Sequence, residues 1–377
     1  MTSSLPDPVE LTSRLIQIDT SNPPGNEGAV AAVLAPLLKG AGFSVETHDM
    51  APGRPSLVAR LAWGPEPPLL FTGHMDTVSQ GGEQWERGPF GGEVSDGLVH
   101  GRGASDMKSG LAAITVAALT LAQQRPAKAG LVLVFTASEE NGCQGAEHLA
   151  KTHPEALGKA GAVLVAEPTA NQPVLGHKGA MWLRGRCRGK AAHGSMPELG
   201  DNAIYKAAEA VSKLADYHFS AEPHPVLGRA TLNVGTISGG RATNVVPEAA
   251  EFTVDLRLPP SLEPDQAQAE LGRLLGDTVE LERIMGVASL WSEPQEPWMA
   301  RVLEMLAKRR GQSFAPAGVP YVTDGSALKR ALGGAPTLIL GPGEPGEAHV
   351  VDESCPVANI REATEDYLAI ARDWCGA

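Results

Sequence analysis

Cysteine is sparse in this chain of 377 residues, and its four copies, Cys143, Cys187, Cys355 and Cys375, form no Cys-x-x-Cys pair. Thiolate metal sites and dithiol redox motifs are therefore not indicated, and reduced thiols without a catalytic part are expected. Basic charge is also in short supply: 31 Lys and Arg face 44 Asp and Glu, for a formal net charge of −13 and a pI near 5.3. That balance argues against nucleic acid or an anionic membrane as partner. No apolar run approaches membrane-spanning length. The start, Met1-Thr-Ser-Ser-Leu-Pro-Asp-Pro8, lacks a basic segment followed by an apolar stretch, so a cytoplasmic protein is expected. Repeats, low-complexity segments and charge runs are missing too. The glycine-rich run His100–Gly110 lacks the Gly-Lys-Ser/Thr ending of a P-loop and the spaced glycines of a dinucleotide site, and Ser195 has no Gly-x-Ser-x-Gly elbow around it. Nucleotide binding and serine hydrolysis are set aside.

What the chain has is a set of acids and histidines at the ends of apolar runs. Pro68-Leu-Leu-Phe-Thr-Gly-His-Met-Asp76 ends in His74 and Asp76; Leu131-Val-Leu-Val-Phe-Thr-Ala-Ser-Glu-Glu140 ends in two adjacent carboxylates; Ala162-Val-Leu-Val-Ala166 ends at Glu167. A late run, Thr337-Leu-Ile-Leu340, leads through Gly-Pro-Gly to Ala348-His349, and Asp106 follows the glycine-rich loop. Strand ends are where a rigid sheet can present such groups together. In His-x-Asp the imidazole can bind a metal while the carboxylate takes its other N–H. Adjacent carboxylates after an apolar strand repel one another unless something positive compensates, and because neighbouring residues diverge, one can bind metal while the other moves a proton. If the strand ends meet, His74, Asp106 and Glu167 can hold one cation and Asp106, Glu140 and His349 a second. Nitrogen and oxygen donors suit two divalent metal ions, Zn²⁺ first, with Co²⁺ or Mn²⁺ as substitutes.

Those motifs, together with Gly101-Arg-Gly-Ala-Ser-Asp-Met-Lys108, Ala192-His-Gly194 and Thr243-Asn-Val-Val-Pro247, resemble the dinuclear-zinc amidohydrolases that include acetylornithine deacetylase, succinyl-diaminopimelate desuccinylase, aminoacylase and glutamate carboxypeptidase. The resemblance spans nearly the whole chain. It implies that His74, Asp106, Glu140, Glu167 and His349 are metal ligands, that Glu139 is the general acid/base, and that Asp76 stands behind His74. It also implies a cis peptide at Asp106-Met107. His193 is expected to reach across a homodimer and stabilise an oxyanion, and Asn244 and Arg257 to contact substrate, the Arg257 fork matching a carboxylate. The reaction implied is hydrolysis of the amide bond of an N-acyl amino acid, as in a deacetylase or desuccinylase. The alternatives are a carboxypeptidase or dipeptidase acting on short peptides and, from another class, a non-catalytic dimeric binding module.

With 42 % hydrophobic residues the composition is that of a globular protein, and the length points to two domains. Helical stretches such as 27–41 alternate with apolar strands before residue 176, which predicts an α/β domain with a mixed sheet between helices. The middle reads as strand 180–188, helix 202–217, strands 230–237 and 249–258, a helix after Pro264 and strand 278–283, a ferredoxin-like βαββαβ insert. Helices at 298–310 and 356–374 resume the first pattern. The expected division is therefore a catalytic, zinc-peptidase-like domain of residues 1–176 and 288–377, interrupted by a lid and dimerisation domain of residues 177–287.

Overall fold

A computed structural model describes residues 5–377; residues 1–4, with which the expected catalytic domain opens, lie outside the described part. The chain divides into two compact units: residues 1–176 with 291–319 and 323–377, and residues 177–290 with 320–322.

The first unit is built on a six-stranded sheet in the order Ser44–Ala51, Arg54–Leu61, Ala129–Thr136, Glu66–His74, Ala162–Val165 and Thr337–Ile339. The last four run parallel, while Arg54–Leu61 joins antiparallel to Ala129–Thr136 and hairpins back to Ser44–Ala51. Every residue of Ala129–Thr136 is buried, which is why its sequence is continuously apolar rather than alternating. The helix Ser109–Gln124 is apolar nearly all round because it is packed in the interior, against Val357–Cys375 and Pro8–Ile16. Pro8–Ile16 was not foreseen, although Asp7 caps it by accepting from the Val9 N–H at 2.8 Å and Pro8 opens its first turn. Ser44–Ala51 also escaped the apolar-run pattern. It is the sheet's edge strand, carries Glu46, His48 and Asp49, and owes its extension to pairing with its neighbour.

The second unit is a four-stranded antiparallel sheet in the order Thr231–Gly239, Ala249–Leu258, Gly179–Arg188, Glu280–Val287. With the helices Ala203–Ala215 and Pro264–Leu275 this is the expected βαββαβ order. Strand alternation separates a helix-facing set, Met181, Leu183, Phe252, Val254 and Leu256, from an outer set that includes Trp182, Arg184 and Arg186. Among the described residues no helix is long and apolar enough to cross a membrane.

Candidate metal centre

The four parallel strands of the first unit deliver their C-terminal ends to one edge of the sheet, the usual place for chemistry in such sheets. His74 is the last residue of its strand, Glu139 and Glu140 follow Thr136 by three and four positions, and Glu167 follows Val165 by two. Two glycines let the closing segment pack close. A side chain at Gly341 would come within 2.3 Å of the Ala166 and Glu167 carbonyl oxygens, and one at Gly343 within 2.1 Å of the Ser105 carbonyl. The Gly-Pro-Gly turn thus lies directly on the backbones that carry Glu167 and Asp106. His349 follows in a turn with φ +65°, and the Asp106-Met107 peptide is cis, as the resemblance implies.

Asp106 stands between the two histidines. Its Oδ1 lies 2.9 Å from His74 Nε2 and its Oδ2 3.4 Å from His349 Nε2. On the first side Glu167 Oε1 is 3.8 Å from His74 Nε2; on the second, Glu140 Oε2 is 3.0 Å from His349 Nε2. Potential ligand atoms of His74, Asp106 and Glu140, and of His74, Glu139 and Glu167, converge within 4.8 Å of one another. The structure therefore gathers His74, Asp106, Glu139, Glu140, Glu167 and His349 into one cluster. Of these, His74, Glu139 and Glu167 are buried and His349 is half exposed.

Asp76 does more than orient His74. The oxygen nearest His74 Nδ1 is the Asp76 main-chain carbonyl at 3.0 Å, with the carboxylate at 3.5 Å. Either fixes Nδ1 as the protonated nitrogen and turns Nε2 toward Asp106. The Asp76 carboxylate meanwhile accepts from Asn22 Nδ2 at 2.8 Å and from the backbone N–H groups of Glu139 and Glu140 at 3.1 and 3.3 Å. One buried acid thus holds the main chain of both adjacent glutamates. Neither acid lies in a helix: the next one begins only at Gln144.

The electrostatics of the cluster are dominated by buried carboxylates. Burial, reinforced by the surrounding carboxylates, pushes Glu139, Glu140 and Glu167 above the usual carboxylate range. Its hydrogen bonds to Asp106 and Glu140 raise His349 to about 10. His74 is raised despite its burial, chiefly by Glu167 and Asp106. Asp76, Asp106, Glu139, Glu140, Glu167 and Asp324 outnumber the two imidazoles, and buried negative charge in that excess calls for cations. An all-nitrogen-and-oxygen donor set of this kind fits divalent metal ions.

Three further side chains belong to the cluster. Asn22 joins Asp76 to Ser138 through Nδ2, 3.1 Å from the Ser138 Oγ, and sits in a loop whose sequence carries no signal for it. Asp324, in the Thr323-Asp-Gly-Ser326 segment, is buried, accepts from the Thr136 hydroxyl, and is raised to about 6 chiefly by burial. Cys143 donates to Glu139 Oε1 at 3.3 Å, so one of the scattered thiols does lie against the cluster, its own ionisation suppressed by burial.

In the second unit, an isolated bridge between His193 and Val245 and a hydrogen bond from Gly194 N to the Asn244 carbonyl at 2.8 Å bring His193 and Asn244 onto adjoining loops, both exposed. The Ser195 N–H points at His193 Nδ1 from 3.2 Å, which places the proton of a neutral ring on Nε2. Arg257 is separate from them: its guanidinium pairs with both oxygens of Asp255, two residues back on the same strand, at 2.9 and 3.1 Å.

A family model described as peptidase family M20/M25/M40 matches residues 70–373. The chain is 31 % identical to a succinyl-diaminopimelate desuccinylase of Cereibacter sphaeroides, over 98 % of this chain and 99 % of that protein. It is 30 % identical to an acetylornithine deacetylase of Shigella sonnei, over 91 % of this chain and 90 % of that one. Among solved structures, an M20-family metallo-carboxypeptidase from Sulfolobus solfataricus superposes with a TM-score of 0.82 at 18 % identity, covering 99 % of this chain and all of that one.

Proposed function

Because the chain belongs to peptidase family M20/M25/M40 and is a hydrolase of amide or peptide bonds, we propose that it removes the acyl group from an N-acyl amino acid at a centre of two divalent metal ions. The observation that carries the two-ion reading is Asp106, whose carboxylate oxygens each face a different histidine. His74, Asp106 and Glu167 would hold one ion and Asp106, Glu140 and His349 the other, with zinc the first choice and cobalt or manganese able to replace it. Ions held there supply a water of lowered pKa and polarise the scissile carbonyl.

The protein's own groups do the rest. Glu139, buried beside the ligands and with a raised pKa, takes the proton from the attacking water and returns it to the leaving amine. His193, with its proton on Nε2, donates to the developing oxyanion. Asn244 contacts the substrate, and Arg257 exchanges Asp255 for the substrate's carboxylate, a pairing its planar fork suits equally well. The acyl-amino-acid assignment rests on the desuccinylase and deacetylase relatives, and a reducing compartment such as the cytoplasm suits the four buried, unbridged cysteines.

A hydrolysis screen of the zinc- or cobalt-loaded protein over acetyl, succinyl and glutamyl amides and di- and tripeptides tests the substrate class. Acetyl or succinyl amino acids should give the highest kcat/KM; a preference for unblocked peptides would replace this reading with a peptidase.

We further propose a homodimer in which His193 serves the partner's centre. Mixing inactive His193→Ala and Glu139→Ala proteins should then restore activity, since a heterodimer contains one intact combination. Demonstrated subunit exchange without recovered activity would confine His193 to its own chain or to no catalytic part at all.

A further inference from the structure

Glu353, four residues beyond His349, is a completely buried carboxylate with no place in the reaction described above. Both of its oxygens are used, and every donor comes from the loop that presents Asp106. Oε1 accepts from the backbone N–H groups of Ser105 at 2.8 Å and Asp106 at 2.9 Å. Oε2 accepts from the Gly103 N–H at 2.9 Å and from Arg102 Nη1 at 2.6 Å. The glutamate's own main chain closes the attachment, its carbonyl accepting from the Gly101 N–H at 2.9 Å, and the next residues, Ser354 and Cys355, pair antiparallel with His100 and Val99.

A carboxylate that merely balanced Arg102 would need one oxygen and one guanidinium contact. Here the main-chain N–H groups of Gly103, Ser105 and Asp106 converge on it as well, and removing a buried acceptor of this kind leaves its donors unsatisfied. We propose that Glu353 is a positioning residue for the metal centre: it sets the backbone of the Asp106 loop and registers that loop against the segment bearing His349. The inference rests on the reading of Asp106 as the shared ligand. Its physical content is that Asp106 must present two oxygens in two directions at once, so its main chain tolerates little displacement, and a buried acceptor with four donors supplies that restraint. In Glu353→Gln the amide nitrogen replaces one acceptor oxygen, so it would face N–H donors instead of accepting from them. In Glu353→Asp the carboxylate is kept but withdrawn by one methylene.

The test is cobalt titration of metal-free wild type, E353Q, E353D, R102Q and D106N, followed by calorimetry and the visible Co²⁺ spectrum, with far-UV circular dichroism and melting of the metal-free proteins alongside. A positioning role predicts that E353Q keeps the wild-type fold without metal but binds Co²⁺ about 10–100-fold more weakly, with an altered spectrum. E353D should be intermediate, and R102Q, which leaves all three N–H bonds, should be the mildest. An E353Q protein with wild-type affinity and spectrum overturns the proposal, as does one whose only defect is a lower melting temperature. If E353Q does not fold, E353D and R102Q decide: equal weakening in both would mean that the ion pair, and not the N–H clamp, is what matters. Wild type that binds no cobalt, or D106N that binds it as wild type does, would instead overturn the reading of the centre itself.

Discussion

Glu139→Gln is expected to lower turnover by about 10²–10⁴-fold, the range for loss of a positioned proton-transfer group, while the purified protein keeps its metal. Gln is isosteric and can still accept from the Cys143 thiol that contacts Glu139 Oε1, so the site should keep its shape. What it cannot do is take a proton from water. The two adjacent glutamates are told apart by their side-chain neighbours: Glu140 Oε2 lies 3.0 Å from His349 Nε2, whereas the Glu139 carboxylate lies against Cys143 and near Asp324. Glu140→Gln should therefore lose metal where Glu139→Gln does not. Metal analysis after dialysis, beside steady-state kinetics, reads both effects, and comparable metal loss in the two variants would show that the assignments are exchanged.

The second large effect belongs to Asp106. Asp106→Asn leaves one carbonyl oxygen where two carboxylate oxygens face His74 and His349, and removes a negative charge from between two proposed cations. Both sites should weaken together and activity should fall to background, because a single oxygen cannot serve both ions. Loss of a residue that touches one site only, such as Glu167→Gln, should instead reduce the occupancy of one ion preferentially. Stoichiometry by elemental analysis over a range of free metal separates these cases. An Asp106→Asn protein with two bound metals and an undiminished rate would mean that the cluster is wrongly assembled.

The legible part of the structure was what burial imposes directly on residue order. Ala129–Thr136 and Ala162–Val165 are apolar without alternation because both faces are covered, and the apolar spacing of Ile204, Ala207, Ala208, Val211 and Leu214 marks the helix Ala203–Ala215, although the face it buries is centred on Ala207, Ala210 and Leu214 and leaves Ala208 exposed. The clustered acids were legible for the opposite reason, since charge at the end of a buried strand runs against the burial pattern and so stands out. Ser44–Ala51 was not, because an edge strand half in water has no apolar signature and is extended by its partner's hydrogen bonds. The second duty of Asp76 was hidden as well: a carboxylate accepting from backbone N–H groups leaves no mark on the residues that donate.

By itself, then, the amino-acid order determined the fold class, the candidate ligands and the chemistry open to them, because these follow from hydrophobic periodicity and from which side chains can bind metal or carry a proton. Only the tertiary structure decided which groups lie together. It put Asp106 between His74 and His349, Asp76 beneath the backbone of Glu139 and Glu140, Cys143 and Asp324 beside Glu139, Arg257 on Asp255, and Glu353 under the Asp106 loop. Those pairings join residues up to 251 positions apart, and they depend on strand order, close glycine packing and main-chain donors, none of which side-chain identity encodes locally.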